Sequence, residues 1–169
     1  RKPGRRGNNV EILVPILTAA VRSGTPILYA TLGEIVTEKG GILNLGLEGI
    51  MLLGAYAGFA VSYSTGNPWL GVAGAFCVGM ILGLVHSFIC VTLKGNQVVS
   101  GLAMTMFGTG ASSILGRDYV GVTIEGLHRF PIPLLSDIPV VGPAFFRHDA
   151  LIYCSYGLVV FLCWFFTST

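Results

Sequence analysis

Long apolar runs separated by short polar breaks dominate the pattern of hydrophobic and polar positions. Each run is close to the roughly 17–25 residues that a helix needs to cross the hydrocarbon core of a bilayer. The pattern therefore predicts an all-α integral membrane protein, a polytopic bundle with about five transmembrane segments. The runs cover residues 10–36, 45–63, 69–93, 98–116 and 150–166.

Composition supports this fold class. Hydrophobic residues make up 53% of the chain and charged residues only 11%, against about 25% charged residues in ordinary globular chains. The mean hydropathy is +0.75. A net charge of +2 is too small and too dispersed for nucleic-acid binding, so membrane lipid is the expected surrounding. Because the chain begins with Arg1 and stops at Thr169 directly after an apolar run, we expect it to be part of a longer protein.

The stretch 33–58, GEIVTEKGGILNLGLEGIMLLGAYAG, breaks one apolar run with polar and glycine residues and then resumes it at once. Hydrocarbon offers no hydrogen-bonding partner, so irregular backbone at membrane depth is tolerated only where protein or a water-filled cavity satisfies it. The break at 38–44 therefore points to a polar path through a membrane protein. Pro15, Arg22, Gly24 and Pro26 predict a further kink or break inside the first run.

Polar residues near the breaks are the candidate substrate-pathway residues. Asn44 and Glu48 are one helical turn apart; if Asn44 begins the second helix, they share a face at its N-terminal end. They either cap the helix for structural reasons or face a translocation path. Asn96, Gln97 and Ser100 likewise either cap the fourth run or offer amides and hydroxyls to a solute. Such groups fit a neutral sugar or nucleoside better than an ion.

Small residues recur at helical spacing, which predicts close helix packing. Lipid tails are as apolar as leucine, so membrane helices associate through close backbone approach at small-xxx-small faces. The expected packing residues are Gly54, Gly58, Gly71, Ala75, Gly79 and Gly83, and the spacing repeats at Gly108, Ser112 and Gly116.

The connections predict a turn at 64–68, a tight polar hinge at 94–97 and one long loop at 117–149. The long loop holds four prolines and charges of both signs, so we expect an ordered extramembrane loop with a short surface helix. Its role is either to cap the bundle or to receive a partner.

Catalytic and metal-site motifs are missing from the sequence. There is no P-loop, HExxH or GxSxG sequence, and the cysteines form no metal-binding pattern. His86 is interpreted as a histidine bonded to a neighbouring helix, and a metal site at His128 and His148 is not expected. Tyr29, Tyr56, Phe59 and Phe107 either stack on a nucleobase or serve packing.

The stretch 33–58, with its NLGLEGIMLLGA sequence, and KGNQVVSGLAMTMFGTGASSILG at 94–116 closely resemble one family. They resemble the permease subunits of bacterial ABC importers for nucleosides and simple sugars, within the branched-chain amino acid and ribose permease group. The resemblance implies that residues 1–169 are the N-terminal portion of a single transmembrane permease domain, lying in the bacterial inner membrane and stopping before the cytoplasmic coupling segment.

The resemblance also implies partners and a mechanism. A second permease subunit, two cytoplasmic ATP-binding subunits and an extracellular solute-binding lipoprotein are expected. ATP and Mg²⁺ would bind the ATPase partners, so this chain would carry no cofactor and no catalytic residue. Transport would proceed by alternating access. Nucleosides are the leading substrate class, with simple sugars or branched-chain amino acids as alternatives. Outside this family, an intramembrane enzyme using Glu34, Glu38 or Glu48, or a passive channel, remains open.

Family topology places the loop 117–149 outside the cell and the breaks at 37–44 and 94–97 inside. Counting positive charges favours the reverse, because most arginines share the side of the long loop. We side with the family, since an outer loop that docks a binding protein can carry charge of both signs.

Overall fold

The computed structural model describes residues 5–131, 142 and 145–168. Within these residues the chain is mostly helical, as the apolar runs predict. The helices are α1 (Arg5–Lys39), α2 (Leu47–Thr65), α3 (Pro68–Ser87), α4 (Gln97–Leu115) and α5 (Ala150–Ser168). A π-helical turn (Phe88–Thr92) continues α3, and a 3-10 turn (Gly116–Tyr119) follows α4. The polytopic all-α class is confirmed.

Four stretches of the described chain are long and apolar enough to cross a membrane: Ile12–Lys39, Pro68–Thr92, Gln97–Tyr119 and Ala150–Ser168. The helix α2 falls outside this set, although it occupies the predicted run 45–63. Glu48, three glycines and several hydroxyl residues lower its hydropathy. Its main contacts are with α3 and α4. Four of the five predicted runs are therefore confirmed as helices long and apolar enough to cross a membrane, and the fifth, α2, is a 19-residue helix of lower hydropathy in contact with α3 and α4.

The first run was predicted to contain a kink or a break; the break is wrong, and the kink stays a prediction. α1 is continuous from Arg5 to Lys39, with Pro15 and Pro26 inside it. Each proline removes only one backbone hydrogen bond, and the bonds on either side carry the helix past it.

The chain divides into two units, and the first comprises Arg1–Leu32 and Leu127–Thr169. In its described part, the Tyr29 hydroxyl of α1 donates to the Leu151 carbonyl of α5 at 2.6 Å. Strands β1 (Arg129–Pro131) and β2 (Arg147–Asp149) pair antiparallel, with Phe130 opposite His148. The Tyr153 hydroxyl donates to the Phe130 carbonyl at 2.9 Å and accepts from the His148 amide at 3.2 Å, which ties the strands to α5.

These strands were not predicted from the sequence, because three-residue pairs carry no periodic pattern. The short surface helix expected in the loop 117–149 stays a prediction, because residues 132–141 and 143–144 of this loop lie outside the described residues.

The second unit, Gly33–Gly126, holds α2, α3 and α4. Glycines set the distance between α2 and α3. A methyl group on Gly71 would lie 2.6 Å from the Gly58 carbonyl oxygen. The positions of Gly54 and Gly79 face Ala75 and Ile50 at 3.7 and 3.9 Å. Gly83 meets no described atom within 4 Å, so it lies outside this contact.

The contact between α2 and α4 is closer still. A methyl group on Gly108 would overlap the backbone of Gly49, and one on Gly101 would lie 2.9 Å from the Leu45 amide nitrogen. Sequence reasoning marked Gly108 but missed Gly46, Gly49 and Gly101. Gly46 and Gly49 are spaced by three residues rather than four, and their partners on α4 lie more than fifty residues away along the chain.

The predicted turn at 64–68 is confirmed between α2 and α3. Gly66 takes a left-handed conformation (φ 66°), which glycine adopts without steric cost, and ends α2. The Asn67 side chain accepts a hydrogen bond from the Trp69 amide at 3.0 Å, and Pro68 occupies the first helical position of α3.

We expect Gly108→Ala to lower the thermal midpoint of the complete protein in detergent by several degrees. The added methyl group must push α4 away from Gly49, and overpacking of this kind typically costs about 1–3 kcal/mol. The midpoint is measured by heating samples to increasing temperatures and determining by size-exclusion chromatography how much folded protein remains.

Gly110→Ala is the matched control, because Gly110 lies on the same helix with no described atom within 4 Å. This variant should be neutral or slightly stabilising, since alanine has the higher helix propensity. Equal midpoints for the two variants would contradict the close contact.

Candidate functional site

The segment between α1 and α2, residues 40–46, is called the joint here. Its first part winds down from α1: the amides of Gly40, Gly41 and Ile42 donate to carbonyls of Val36, Glu38 and Thr37 at 2.9–3.2 Å. Gly41 has φ 80° and turns the chain. From Leu43 onward the backbone has left the helix, so its polar groups need other partners.

The expectation that Asn44 begins the second helix is wrong. α2 begins at Leu47, with Gly46 as its N-cap residue. The Asn44 side-chain oxygen accepts from the Gly46 amide at 3.1 Å, which makes a turn before the helix. Gly46 is buried against Met104 and Gly101 of α4, and this contact fixes where the helix starts. Asn44 and Glu48 therefore do not share a helical face.

Gln97, the first residue of α4, bonds the joint through both ends of its amide. Its Oε1 accepts from the Leu43 amide at 2.8 Å, and its Nε2 donates to the Gly41 carbonyl at 3.2 Å. One side chain thus satisfies a backbone donor and a backbone acceptor of the joint.

Glu34 bonds the joint from α1. Its Oε1 accepts from the Asn44 amide at 3.0 Å, while its Oε2 accepts from the Thr37 hydroxyl at 3.3 Å. Sequence reasoning considered Glu34 only as a candidate residue of an intramembrane enzyme and so missed this contact. The sequence feature that could have indicated this contact is a carboxylate inside an apolar run, ten residues before Asn44 of the irregular segment.

His86 of α3 is 2% exposed and bonds both the joint and α4. Its Nε2 lies 3.3 Å from the Leu43 carbonyl oxygen, and its Nδ1 lies 3.0 Å from the Ser100 hydroxyl. Because a carbonyl only accepts, we assign the proton to Nε2, and Nδ1 then accepts from Ser100. The prediction that His86 bonds a neighbouring helix is confirmed.

Two further contacts complete the joint and the start of α4. The Thr105 hydroxyl donates to the Leu45 carbonyl at 2.8 Å. Asn96 caps α4, since its Oδ1 accepts from the amides of Val98 and Val99 at 2.9 and 3.2 Å. The capping interpretation of Asn96 is therefore confirmed.

The structure brings Asn44, Gln97 and Ser100 together around the joint, each with a hydrogen-bond partner in the protein. Glu48 differs: it is exposed in the first turn of α2 and makes no hydrogen bond or ion pair with any described residue. Among the described residues, no three His, Cys, Asp or Glu side chains converge as a metal site would require. These hydrogen bonds satisfy the backbone of the joint, and the Glu48 carboxylate has no partner among the described residues.

We expect Gln97→Ala to speed amide hydrogen exchange across residues 41–46 by about ten-fold or more in the complete protein. The substitution leaves the Leu43 amide and the Gly41 carbonyl without their partner, and each such hydrogen bond contributes about 0.5–1.5 kcal/mol. Exchange followed by mass spectrometry in detergent measures the change.

Asn67→Ala is the control, because it likewise removes a side-chain oxygen that accepts a hydrogen bond from a backbone amide, here at the turn before α3. It should speed exchange near residues 67–70 and leave 41–46 unchanged. If Gln97→Ala leaves the joint as protected as in the parent protein, the joint does not depend on this side chain.

Comparison with known proteins gives a consistent family. The chain is 44% identical over 155 residues to the putative glucose ABC transporter permease protein TsgC13 of Haloferax volcanii, covering 89% of this chain and 47% of that protein. It is 31% identical over 167 residues to the guanosine ABC transporter permease protein NupQ of Bacillus subtilis, covering 92% of this chain and 52% of the relative.

A third relative is the nucleoside ABC transporter permease protein NupC of Lactococcus lactis subsp. cremoris, which is 28% identical over 169 residues and covers 94% and 53% of the two chains. The chain thus spans about half the length of the curated relatives it matches. No solved structure matches it significantly.

The family described as branched-chain amino acid transport system / permease component matches residues 16–169, nearly the whole chain. The match agrees with the helices long enough to cross a membrane. The chain is therefore a multi-pass membrane protein and belongs to this permease family.

Proposed function

We propose that the chain forms part of the transmembrane permease subunit of an ATP-driven ABC importer for a neutral solute. Nucleosides are the leading substrate class and a simple sugar such as glucose is the second. The observation that carries the proposal is the family match over residues 16–169. The names of the relatives support both solute classes, because two transport nucleosides and the most identical of the three named above is a putative glucose permease.

In this proposal the chain is a transport subunit and not an enzyme. ATP and Mg²⁺ bind separate cytoplasmic subunits, an extracellular binding protein delivers the solute, and a second permease subunit completes the path. Transport follows alternating access, and the complete protein lies in the cell membrane. Glu34 gives the enzyme alternative little support, because both of its carboxylate oxygens already accept hydrogen bonds, one from the Asn44 amide and one from the Thr37 hydroxyl.

We propose that the joint forms part of the wall of the solute pathway. Asn44 and Gln97 bond its backbone directly, and Ser100 acts through His86. Asn96 caps α4, so each of these four side chains already makes at least one hydrogen bond in the protein. Glu48 is the pathway candidate with an exposed group and no partner among the described residues. Its carboxylate sits in the first turn of α2, where the helix dipole favours negative charge.

The complete importer, reconstituted in proteoliposomes with its ATPase and binding protein, should accumulate labelled guanosine or glucose only when ATP is present. Leucine serves as the third solute, because the family description includes branched-chain amino acids. Glu48→Gln should lower the uptake rate several-fold while the thermal midpoint stays within about two degrees, since an exposed surface substitution typically costs under about 0.5 kcal/mol.

Uptake that proceeds equally without ATP would indicate a passive channel. Uptake of leucine in place of both other solutes would overturn the solute class. Glu48→Asp is the control that keeps the charge, and it should retain most of the activity.

Topology is tested by cysteine labelling in intact cells. In a background with Cys77, Cys90, Cys154 and Cys163 replaced by serine, we expect Asp118→Cys to react with an impermeant maleimide from outside. Lys94→Cys should react only after the cells are opened, because family topology places residues 94–97 in the cytoplasm. Labelling of Asp118→Cys only from the cytoplasmic side would reverse the topology.

A further inference from the structure

A small cavity lies toward the C-terminal ends of α2 and α4, at the end of these helices away from the joint. Its volume is about 320 Å³, which falls at the lower end of the roughly 300–1,000 Å³ typical of small-molecule sites. We call it the aromatic cup. It is lined by Leu52, Tyr56, Phe59, Ser112, Ser113, Gly116 and Tyr119.

Aromatic rings form one side of the cup. The Tyr119 ring, in the 3-10 turn after α4, lies 5.5 Å from the ring of Phe59 and 6.1 Å from that of Tyr56. It also meets the ring of Tyr63 edge-on at 5.6 Å. Tilted and edge-to-face pairs at these distances are attractive, so they hold the rings in fixed orientations. Tyr56, Phe59 and Tyr119 nevertheless remain only half-buried.

Hydroxyl groups provide the polar side of the cup. Ser112 and Ser113 both donate to the Thr109 carbonyl, at 3.1 and 2.7 Å, which leaves the lone pairs of their oxygens able to accept. The Tyr56 and Tyr119 hydroxyls make no hydrogen bond with any described residue. The cup therefore has both acceptors and donors to spare, and none of its seven lining residues is charged.

We propose that the aromatic cup is a binding subsite for a neutral ring compound that carries hydroxyl groups. The rings pack against a flat face of the solute, and the serine and tyrosine oxygens bond its edge groups. A nucleoside satisfies both requirements, and the CH face of a sugar ring satisfies them less fully. An amino acid would bring two charges into a lining without a counter-charge, which is unfavourable. The inference rests on the proposed function and assigns it a solute-contacting surface.

A second cavity of the same unit lacks the cluster of aromatic rings and unpaired hydroxyls that characterises the cup, and it serves as a comparison. It has a volume of about 570 Å³ between α3 and α4, and its lining is almost entirely aliphatic apart from Phe107, Asn96 and Ser100. Asn96 and Ser100 are already engaged in the cap of α4 and the bond to His86. Phe107 is 60% exposed there and provides a matched aromatic control on α4.

The test combines direct photolabelling with uptake in the complete reconstituted importer. The probes are 8-azidoguanosine and a diazirine derivative of glucose, with cross-linked peptides mapped by mass spectrometry. We expect label on residues 52–59 or 112–119, and we expect an excess of the parent solute, but not leucine, to abolish it. Whether an excess of guanosine or of glucose prevents the labelling shows which of the two solutes binds the cup.

Variants then separate recognition from packing. Tyr119→Leu should reduce labelling and the maximal uptake rate by about ten-fold, the size expected for losing one ring stack. Ser112→Ala should reduce both several-fold, the size expected for losing one hydrogen bond. Maximal rate is the informative quantity, because a binding protein would set the KM. Phe107→Leu and Ser64→Ala should stay within two-fold of the parent. Ser64 matches Ser112 because its hydroxyl also donates three residues back, to Val61 at 3.1 Å.

Each outcome decides one of the two proposals. If the parent protein transports a solute while the cup variants match their controls and no label falls on the cup, the cup inference is overturned and the proposed function stands. If label maps to the cup without ATP-dependent uptake, the cup stands and the proposed function fails. Tyr119→Phe, which keeps the ring, shows whether Tyr119→Leu acts through loss of stacking: it should retain most of the labelling.

Discussion

The second unit depends on one constraint: the backbone of the joint has left the helix and must find hydrogen-bond partners inside the protein. Glu34 from α1, His86 from α3, and Gln97 and Thr105 from α4 provide them. In an apolar surrounding each unsatisfied group would cost several kcal/mol, so these contacts allow a non-helical segment to lie between the helices of a membrane protein. The joint consequently fixes the ends of three helices relative to one another.

Close packing and hydrogen bonding at the joint depend on the same face of α4. Gln97, Gly101, Thr105 and Gly108 follow one another at intervals of four, four and three residues, which places them on one side of the helix. Gln97 and Thr105 bond the joint, while Gly101 and Gly108 allow the backbone of residues 45–49 to approach. A side chain at either glycine would hold α4 too far away for its polar residues to reach. The glycines are therefore required for the hydrogen bonds.

The parts of this fold that are encoded locally could be predicted from the sequence. Apolar runs located the five long helices of the described residues, and Gly66, Asn67 and Pro68 located a turn through their own backbone preferences. Errors arose where distant residues decide the outcome. Asn44 had the right chemistry for a helix cap, but contact of Gly46 with Met104 moved the start of α2 to Leu47. The role of Glu34 depends on an amide ten residues away, which no local pattern encodes.

The two ends of α2 and α4 differ in how their polar groups are used, and this difference bears on where a solute is recognised. At the joint, most side chains that sequence reasoning assigned to a pathway already bond the protein. At the aromatic cup, the oxygens of Ser112 and Ser113 keep accepting capacity and the tyrosine hydroxyls have no described partner. Recognition requires groups whose hydrogen bonds are completed only by the ligand, because engaged groups must first break a bond in the protein. Under the proposed function, the joint therefore supports the surrounding helices, and the cup is the surface that recognises the solute.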